Sequence, residues 1–303
     1  LVSREKMAQA PRFKHQPLPK GEADFRPPFC QREFVHLPIG IYRFDDGSGP
    51  AAFAEGQVHD LRAKAVDLGA LIANPDPGGL PPGQPLDPAR LRAPVAAGAT
   101  VYAVGLNYRD HAAETGRACP DPPPVFVKLP LSLAPPHGTA PHPGFSDTLD
   151  YEGELGVVIG PDATVFGYTV MNDLTVRALA RPDTLLLGKN GRGLAPIGPW
   201  IVPAAAVPDP HALSIRTWVN GALRQDGSTA DMHHRIPALV ALLARSLPLR
   251  PGDIISTGSP RGSGIGFDPP RFLQPGDRVC VEVERVGAIE TVIGPPLPDA
   301  GRS

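Results

Sequence analysis

The sequence has few cysteines, no long apolar run and almost no net charge. Its 3 cysteines among 303 residues stand at positions 30, 119 and 280, so neither a disulfide framework nor a cysteine metal cluster is expected, and a reducing, cytoplasmic compartment is favoured. A formal net charge of -2 gives no sign of nucleic acid or an anionic membrane as a partner. No apolar run reaches the roughly 18 residues of a membrane span, and residues 1–20 lack the apolar segment of a secretory signal.

Proline and glycine are abundant instead, with 40 and 33 residues. They punctuate short apolar segments rich in β-branched residues, and 42% of the chain is hydrophobic, which is enough for a buried core. This pattern predicts stiff loops, many strands and few helices, and therefore a mainly β protein of the α+β class.

The chain divides into three predicted regions. Residues 1–37 are basic and aperiodic and are predicted to form an arm or disordered leader. Residues 38–95 are predicted to form a small N-terminal subdomain, with strands at 39–44 and 57–61, a helix near 62–72 and a proline-rich linker. Residues 96–303 form the main domain, where Asn220-Gly221 predicts a hairpin and 237–246 a helix. Its strands are predicted at 101–106, 125–128, 155–159, 165–170, 199–202, 214–219, 253–256, 278–284 and 289–293.

Three carboxylates could meet beside one strand pair. Glu152 and Glu154 stand two apart, so both would point to one face of a strand, and Asp173 would return to them if the strands at 155–159 and 165–170 pair. Like charges this close repel unless a cation compensates, and Mg²⁺ prefers such oxygen ligands. Spacing alone leaves an alternative open, in which the two glutamates are the solvent face of an edge strand.

A histidine and a glutamate follow another predicted strand. If a helical turn begins near Tyr108, His111 and Glu114 lie on one face, where the carboxylate would orient the imidazole and raise its basicity. Such a pair could activate water or move a proton next to a carbonyl group. The alternative is an ordinary helix start with exposed polar residues.

Four further polar residues could bind an anion. Lys128, Arg177 and Lys189 could receive a substrate carboxylate or enolate, and Ser259 stands in a glycine-rich loop after a strand. Each of the three charged residues, taken singly, is more typical of an exposed surface charge.

Eight segments, taken in order, resemble the fumarylacetoacetate hydrolase family, in particular its small acylpyruvase-like members. They cover roughly residues 100–294: GLNYRDHAAE (105–114), PVFVKLP (124–130), DYEGELGVVIG (150–160), VFGYTVMNDLTVR (165–177), GPWIV (198–202), VNGALRQDGSTADM (219–232), LRPGDIISTGSPRGSG (249–264) and LQPGDRVCVEVERVG (273–287). The resemblance implies a mixed β-roll catalytic domain behind a small N-terminal domain, assembled as a homodimer.

The resemblance also implies roles by motif position. Glu152, Glu154 and Asp173 would hold Mg²⁺, or Mn²⁺ or Ca²⁺ in its place. His111 and Glu114 would activate water or relay protons.

The remaining implied roles concern the substrate. Lys189 and Arg177 would bind substrate oxygens, with Lys189 counted among the catalytic residues. Lys128 and Ser259 match further substrate-contacting positions.

The sequence departs from the family pattern around the substrate. Ala180 stands where the family usually has glutamine, and Asn190-Gly191-Arg192 replaces the usual Ser-Phe-Asp after Lys189. We therefore expect an altered substrate, with Arg192 as an added anion contact.

Three functions remain open. The first is hydrolysis of a C–C bond in a small 2-oxo acid, such as an acylpyruvate or fumarylpyruvate. The second is decarboxylation, dehydration or isomerisation of a related 2-oxo acid on the same metal site. The third is a binding protein that has kept the fold without catalysis.

Overall fold

The computed structural model describes residues 37–75, 78–181 and 183–297, so residues 1–36 of the predicted arm lie outside it. Within these ranges the chain forms nineteen strands and four α-helices, which confirms a mainly β fold with few helices. The strands are β1 Ile39–Phe44, β2 Gly47–Ala54, β3 Gln57–Asp60, β4 Gly83–Pro85, β5 Leu91–Arg92, β6 Val101–Val104, β7 Val125–Lys128, β8 Leu133–Ala134, β9 His137–His142, β10 Leu149–Asp150, β11 Gly153–Ile159, β12 Val165–Asn172, β13 Thr175–Val176, β14 Ala195–Pro203, β15 Ser214–Val219, β16 Ala222–Ser228, β17 Ile254–Ser256, β18 Arg278–Val283 and β19 Gly287–Pro296. The helices are α1 Leu68–Ala73, α2 Arg109–Glu114, α3 Leu185–Lys189 and α4 Ile236–Ala244.

Two sheets carry the fold. The larger sheet has the order β4-β3-β2-β1-β14-β12-β11-β17-β6-β7, and β5 also pairs with β1 and β8 with β14. The smaller sheet has the order β16-β15-β18-β19-β9. Apolar side chains of the two sheets share one buried cluster, which includes Val157 and Tyr168 from the larger sheet and Ile215 and Val281 from the smaller. This cluster, the largest of three in the described residues, therefore lies between the central strands of the larger sheet and the smaller sheet.

The strand pair that the sequence predicts around the carboxylates is present. β11 and β12 pair antiparallel with Gly153 opposite Asn172, so the start of β11 adjoins the end of β12. β11 lies between β12 and β17, and all seven of its residues are buried. The alternative of a solvent-facing edge strand is therefore wrong.

The N-terminal strands continue the larger sheet, because β1 pairs with β14 at Ile39 and Ile201. The predicted strands at 39–44 and 57–61 are found, but β2 between them was not predicted, since its sequence GSGPAAFA is poor in strand-favouring residues. The proline-rich linker also contains β4 and β5.

The predicted helix near 62–72 is shorter in the structure. Arg62 turns back onto Asp60, with its Nε 2.9 Å from Asp60 Oδ1, and the helix begins only after Asp67, whose side chain accepts a hydrogen bond from the Ala70 amide. The cap at Asp67 sets the start of α1, which explains the difference.

Other local predictions hold. The hairpin between β15 and β16 turns at Asn220 and Gly221, both with positive φ, and α4 lies at the predicted place with Leu239 and Leu243 buried. No helix in the described part of the chain is long and apolar enough to cross a lipid bilayer.

Candidate active site

The structure brings the three predicted metal ligands together. Glu152, Glu154 and Asp173 are buried, with 6%, 2% and 1% exposure, and each offers a carboxylate oxygen within 4.8 Å of the others. Glu152 directly precedes β11 and Asp173 directly follows β12, and the Asp173 amide donates to the Glu152 carbonyl at 2.8 Å. The backbone pairing of the two strands thus holds the carboxylates at one point.

Two buried lysines contact this cluster. Lys189 Nζ lies 2.5 Å from Glu152 Oε2 and 2.7 Å from Asp173 Oδ2, while Lys128 Nζ lies 2.6 Å from Asp173 Oδ1. Burial opposes the charged form of Lys189, but the carboxylates of Asp173 and Glu152 outweigh it and raise its pKa. Burial lowers the pKa of Lys128, and the nearby Asp173 offsets this only in part.

Arg177 connects the cluster to a fourth acid. Its Nη2 donates to Glu152 Oε1 at 2.6 Å, and its Nε donates to Asp150 Oδ2 at 2.7 Å. Asp150 also accepts from the backbone amides of Gly264 and Ile265. Sequence reasoning missed Asp150, although its spacing of two from Glu152 would have placed it on the same face.

The carboxylates of Glu152 and Glu154 differ sharply in electrostatic environment. Burial would raise the pKa of Glu152, but Arg177 and Lys189 prevail and hold it well below its ordinary value. No cationic side chain of the described residues lies within ion-pair distance of Glu154, which accepts only from Ser256 Oγ at 2.5 Å and the Gly258 amide at 3.1 Å. Burial, with the neighbouring carboxylates, raises the pKa of Glu154 to about 8.

The predicted histidine and glutamate form a pair beside this cluster. His111 Nδ1 lies 2.7 Å from Glu114 Oε1, and Glu114 also accepts from the Gly262 amide at 2.9 Å. Because Glu114 accepts at Nδ1, the Nδ1 proton is held there and Nε2 is left to take or give a proton. Nε2 faces the cluster, 3.7 Å from Glu152 Oε1.

A cavity of about 1030 Å³ opens beside these groups. Its lining includes eight charged or polar residues that bear on the chemistry: His111, Glu114, Arg117, Glu152, Glu154, Arg177, Arg181 and Lys189. Ser259 and Ala180 line it as well, so the position where the family has glutamine does face the cavity. Lys128 and Asp173 lie behind this lining and contact each other.

Arg192 is the one predicted site residue that the structure brings neither to the cavity nor to the carboxylate cluster. It is exposed and absent from the lining of the cavity. Arg117 and Arg181, which sequence reasoning missed, line the cavity instead. No motif marks them, because both stand in loops outside the matching segments.

Comparisons with known proteins agree on one family. A family model described as "Fumarylacetoacetate (FAA) hydrolase C-terminal" matches residues 100–294. The chain is 40% identical over 225 residues to the oxaloacetate tautomerase YisK of Bacillus subtilis (strain 168), covering 69% of this chain and 74% of that protein.

Two further relatives carry other activities in their names. A 4-hydroxyphenylacetate degradation bifunctional isomerase/decarboxylase of Salmonella dublin is 42% identical over 210 residues, which is 65% of this chain but only 47% of that protein. A fumarylacetoacetate hydrolase structure from psychrophilic Exiguobacterium antarcticum superposes with a TM-score of 0.72 at 30% identity, covering 86% of this chain and all of that one.

Proposed function

Because this chain belongs to the fumarylacetoacetate hydrolase family, we propose that it is a divalent-metal-dependent tautomerase or isomerase of a 2-oxo dicarboxylic acid. The observation that carries the proposal is a buried carboxylate triad beside a histidine whose Nε2 faces it. Hydrolysis, the first of the three functions that the sequence leaves open, takes second place, because two relatives are named for tautomerisation and isomerisation.

The donor set fits a hard divalent cation. Four buried carboxylates meet three cationic side chains, namely Asp150, Glu152, Glu154 and Asp173 against Lys128, Arg177 and Lys189. Glu154 is the acid with no cationic side chain within ion-pair distance, so burial disfavours its ionised form unless a cation binds beside it. Glu152, Glu154 and Asp173 would hold Mg²⁺, Mn²⁺ or Ca²⁺, which would supply Lewis-acid stabilisation of a developing enolate.

The protein's own residues would perform the proton transfer. His111 Nε2 would take a proton from the carbon next to the 2-oxo group and return it to the other end of the enolate. Glu114 would stabilise the protonated imidazole through its contact with Nδ1. Tautomerisation requires only this exchange, so no water molecule need attack.

The cationic lining supports a substrate with two carboxylates. Lys189 and Arg177 lie beside the triad, where they would orient the 2-oxo acid end. Arg117 and Arg181 line the same cavity and are largely exposed, so they could meet a second carboxylate. A neutral acyl group would leave these charges unused.

A direct test measures the enol–keto conversion of oxaloacetate by its ultraviolet absorbance. With Mg²⁺ we expect conversion well above the spontaneous rate, its loss with excess chelator, and a loss of at least about 100-fold in His111→Gln. Conversion equally fast with chelator, or an unaffected histidine variant, would contradict the proposal.

Hydrolysis remains the second candidate, supported by the likeness to the Exiguobacterium hydrolase. His111 would then deprotonate a water molecule that attacks an acyl carbonyl. A panel of acylpyruvates separates the two, because hydrolysis yields two acids, tautomerisation yields one isomer and decarboxylation releases CO₂. A binding protein without catalysis would bind oxalate in the presence of Mg²⁺ and convert no member of the panel.

We also propose a homodimer in a cytoplasmic setting. The family resemblance supports the first and the scattered cysteines support the second. Sedimentation analysis of the full chain tests the dimer.

A further inference from the structure

We propose that Gln225 is a positioning residue that turns the hydroxyl proton of Ser259 into the active-site cavity. The inference rests on the proposed function in one respect, which is that this proton then meets a substrate oxygen. Ser259 is 4% exposed and lines the cavity, whereas Gln225 is fully buried in β16 and does not line it. Any effect of Gln225 on the substrate must therefore pass through another side chain.

Both acceptor positions and both donor hydrogens of the Gln225 side-chain amide have a hydrogen-bond partner. Its Oε1 lies 2.9 Å from the Gly153 amide nitrogen and 2.7 Å from Thr217 Oγ1. Its Nε2 lies 2.8 Å from both Ser259 Oγ and the Pro260 carbonyl oxygen. The amide thus joins the smaller sheet, the start of β11 and the loop after β17.

Two backbone groups fix which way the amide is turned. The Gly153 N–H can only donate, so the Gln225 atom facing it must be the oxygen. The Pro260 carbonyl can only accept, so the atom facing it must be the nitrogen. A flipped amide would set donor against donor and acceptor against acceptor, and both contacts would be lost.

The direction of the Ser259 hydroxyl follows from this. One Nε2 hydrogen serves Pro260 and the other points at Ser259 Oγ, which therefore accepts at that side. The only other acceptor that contacts the hydroxyl among the described residues is the Pro260 carbonyl oxygen, and its distance of 3.5 Å is well beyond the roughly 2.5–3.0 Å of an ordinary O–H···O hydrogen bond. The proton of Ser259 is left to donate into the cavity.

Close packing holds the amide in this position. A Cβ atom added at Gly153 would lie 2.5 Å from Thr217 Oγ1 and 2.8 Å from Val281 Cγ1, so only glycine allows the smaller sheet to approach here. Gly153 stands between Glu152 and Glu154 in the sequence. The hydrogen bond from the Gly153 amide that orients Gln225 therefore attaches Gln225 to the backbone between two predicted metal ligands. The hydroxyl of Ser259 is thereby set relative to the carboxylate triad.

The kinetic test is a double-mutant cycle with oxaloacetate and Mg²⁺. Gln225→Glu keeps the acceptor for Gly153, but its carboxylate would accept from Ser259 and draw the proton out of the cavity. We expect Ser259→Ala and Gln225→Glu each to lower kcat/KM by about 10- to 100-fold, the range for a hydrogen bond to a charged oxygen. The double variant should be no more than about twofold below Ser259→Ala, because a positioning residue has nothing left to position.

The controls separate positioning from general damage. Gln84→Glu makes the same change in β4, at the far edge of the larger sheet, and should leave kcat/KM within about twofold. If Gln225→Glu does not fold, Gln225→Leu takes its place in the cycle, with circular dichroism as the check on folding. The inference would be overturned if the Gln225 change caused the same loss in the wild-type protein and in the Ser259→Ala variant, or no loss at all in a folded protein.

A second measurement does not depend on catalysis. Neutron diffraction from deuterated crystals of the wild-type protein locates the Ser259 deuteron directly. A deuteron directed into the cavity supports the inference, and one directed at Pro260 or Gln225 overturns it. If the wild type fails to convert oxaloacetate, the proposed function fails, and this measurement alone then decides the role of Gln225.

Discussion

Glu154 differs from Glu152 and Asp173 in having no cationic side chain of the described residues within ion-pair distance. Glu152 is held by Arg177 and Lys189, whereas Glu154 accepts only from a hydroxyl and a backbone amide. At the scale of single residues, the cationic side chains therefore compensate the carboxylates of the cluster unevenly. A divalent cation would act most strongly where compensation is missing, which is at Glu154.

Exchanging each glutamate for glutamine should show this difference in the metal-free protein. Glu154→Gln replaces a buried carboxyl group that burial and the neighbouring carboxylates already make costly to ionise, so the free energy of unfolding should stay equal to that of the wild type or rise by about 1 kcal/mol. Glu152→Gln leaves Arg177 and Lys189 facing a neutral group, and should lower the free energy of unfolding by about 3 kcal/mol. Urea titrations in chelator measure both values, and a larger loss in Glu154→Gln than in Glu152→Gln would contradict the uneven compensation.

The two cysteines in the described residues should differ in reactivity. Burial raises the pKa of the Cys280 thiol to about 12, and Cys280 is 6% exposed. Cys119 is half-buried, and its pKa is also raised by burial. The thiolate is the reactive form, so in native protein at pH 8 we expect iodoacetamide to modify Cys119 slowly, faster as pH rises, and to leave Cys280 unmodified.

Peptide mass spectrometry before and after unfolding in urea measures the modification at each cysteine. In urea both thiols should react at similar rates, which serves as the control. Rapid labelling of Cys280 in folded protein would show that the β18 region opens in solution.

At the scale of elements, the sequence predicts the site better than the sheet that carries it. Strands β11 and β12 are long, apolar and β-branched, so their pairing and the meeting of Glu152 with Asp173 could be foreseen. Strand β2 could not, because glycine, alanine and proline carry little strand preference and only pairing with β1 makes it a strand.

The same limit applies to contacts between distant segments. Nothing in the local sequence places Gln225 against Ser259, because that contact depends on how the smaller sheet packs against the larger one. The contact of Arg177 with Asp150 depends on the pairing of the short strands β10 and β13, which were not predicted. The family resemblance identified Arg177 and Ser259 by position, but not the partners that orient them. Arg192 was expected at the substrate from its charge and its place in the loop after Lys189, but it is exposed and does not line the cavity.

A glycine in β12 marks a close approach between central strands. A Cβ atom at Gly167 would lie 2.4 Å from the Val202 carbonyl oxygen in β14, and backbone cannot move aside as a flexible side chain can. We therefore expect Gly167→Ala to lower the free energy of unfolding by about 2–3 kcal/mol. Urea denaturation measures the change.

Gly79 supplies the matched control, because no atom lies within 4 Å of a Cβ placed there and its φ is not positive. Gly79→Ala should change the free energy of unfolding by less than about 1 kcal/mol. If the two alanine variants were equally stable, β12 and β14 would be further apart than the structure has them.

At the scale of the whole molecule, the site lies where separate parts of the fold converge. The triad lies at the start of β11 and just after the end of β12, the lysines belong to β7 and α3, and the histidine and glutamate pair belongs to α2. The loop after β17 contacts the smaller sheet through Gln225. Neutralising the charges at this point should therefore stabilise the fold as a unit and not one strand alone.

Metal binding should accordingly raise the melting temperature. A ligand that binds only the folded state stabilises it by RT ln(1 + [L]/Kd), about 2.7 kcal/mol at 100 times Kd. We expect the Tm of the chelator-treated wild type to rise continuously with added Mg²⁺, and to return to its metal-free value when chelator is added back. Calorimetry with NaCl at matched ionic strength controls for screening, and Glu154→Gln, which should lose the response while remaining folded, controls for binding elsewhere. A Tm that ignores Mg²⁺ and Mn²⁺ in the wild type, or rises equally in Glu154→Gln, would mean that the carboxylate triad does not hold the metal.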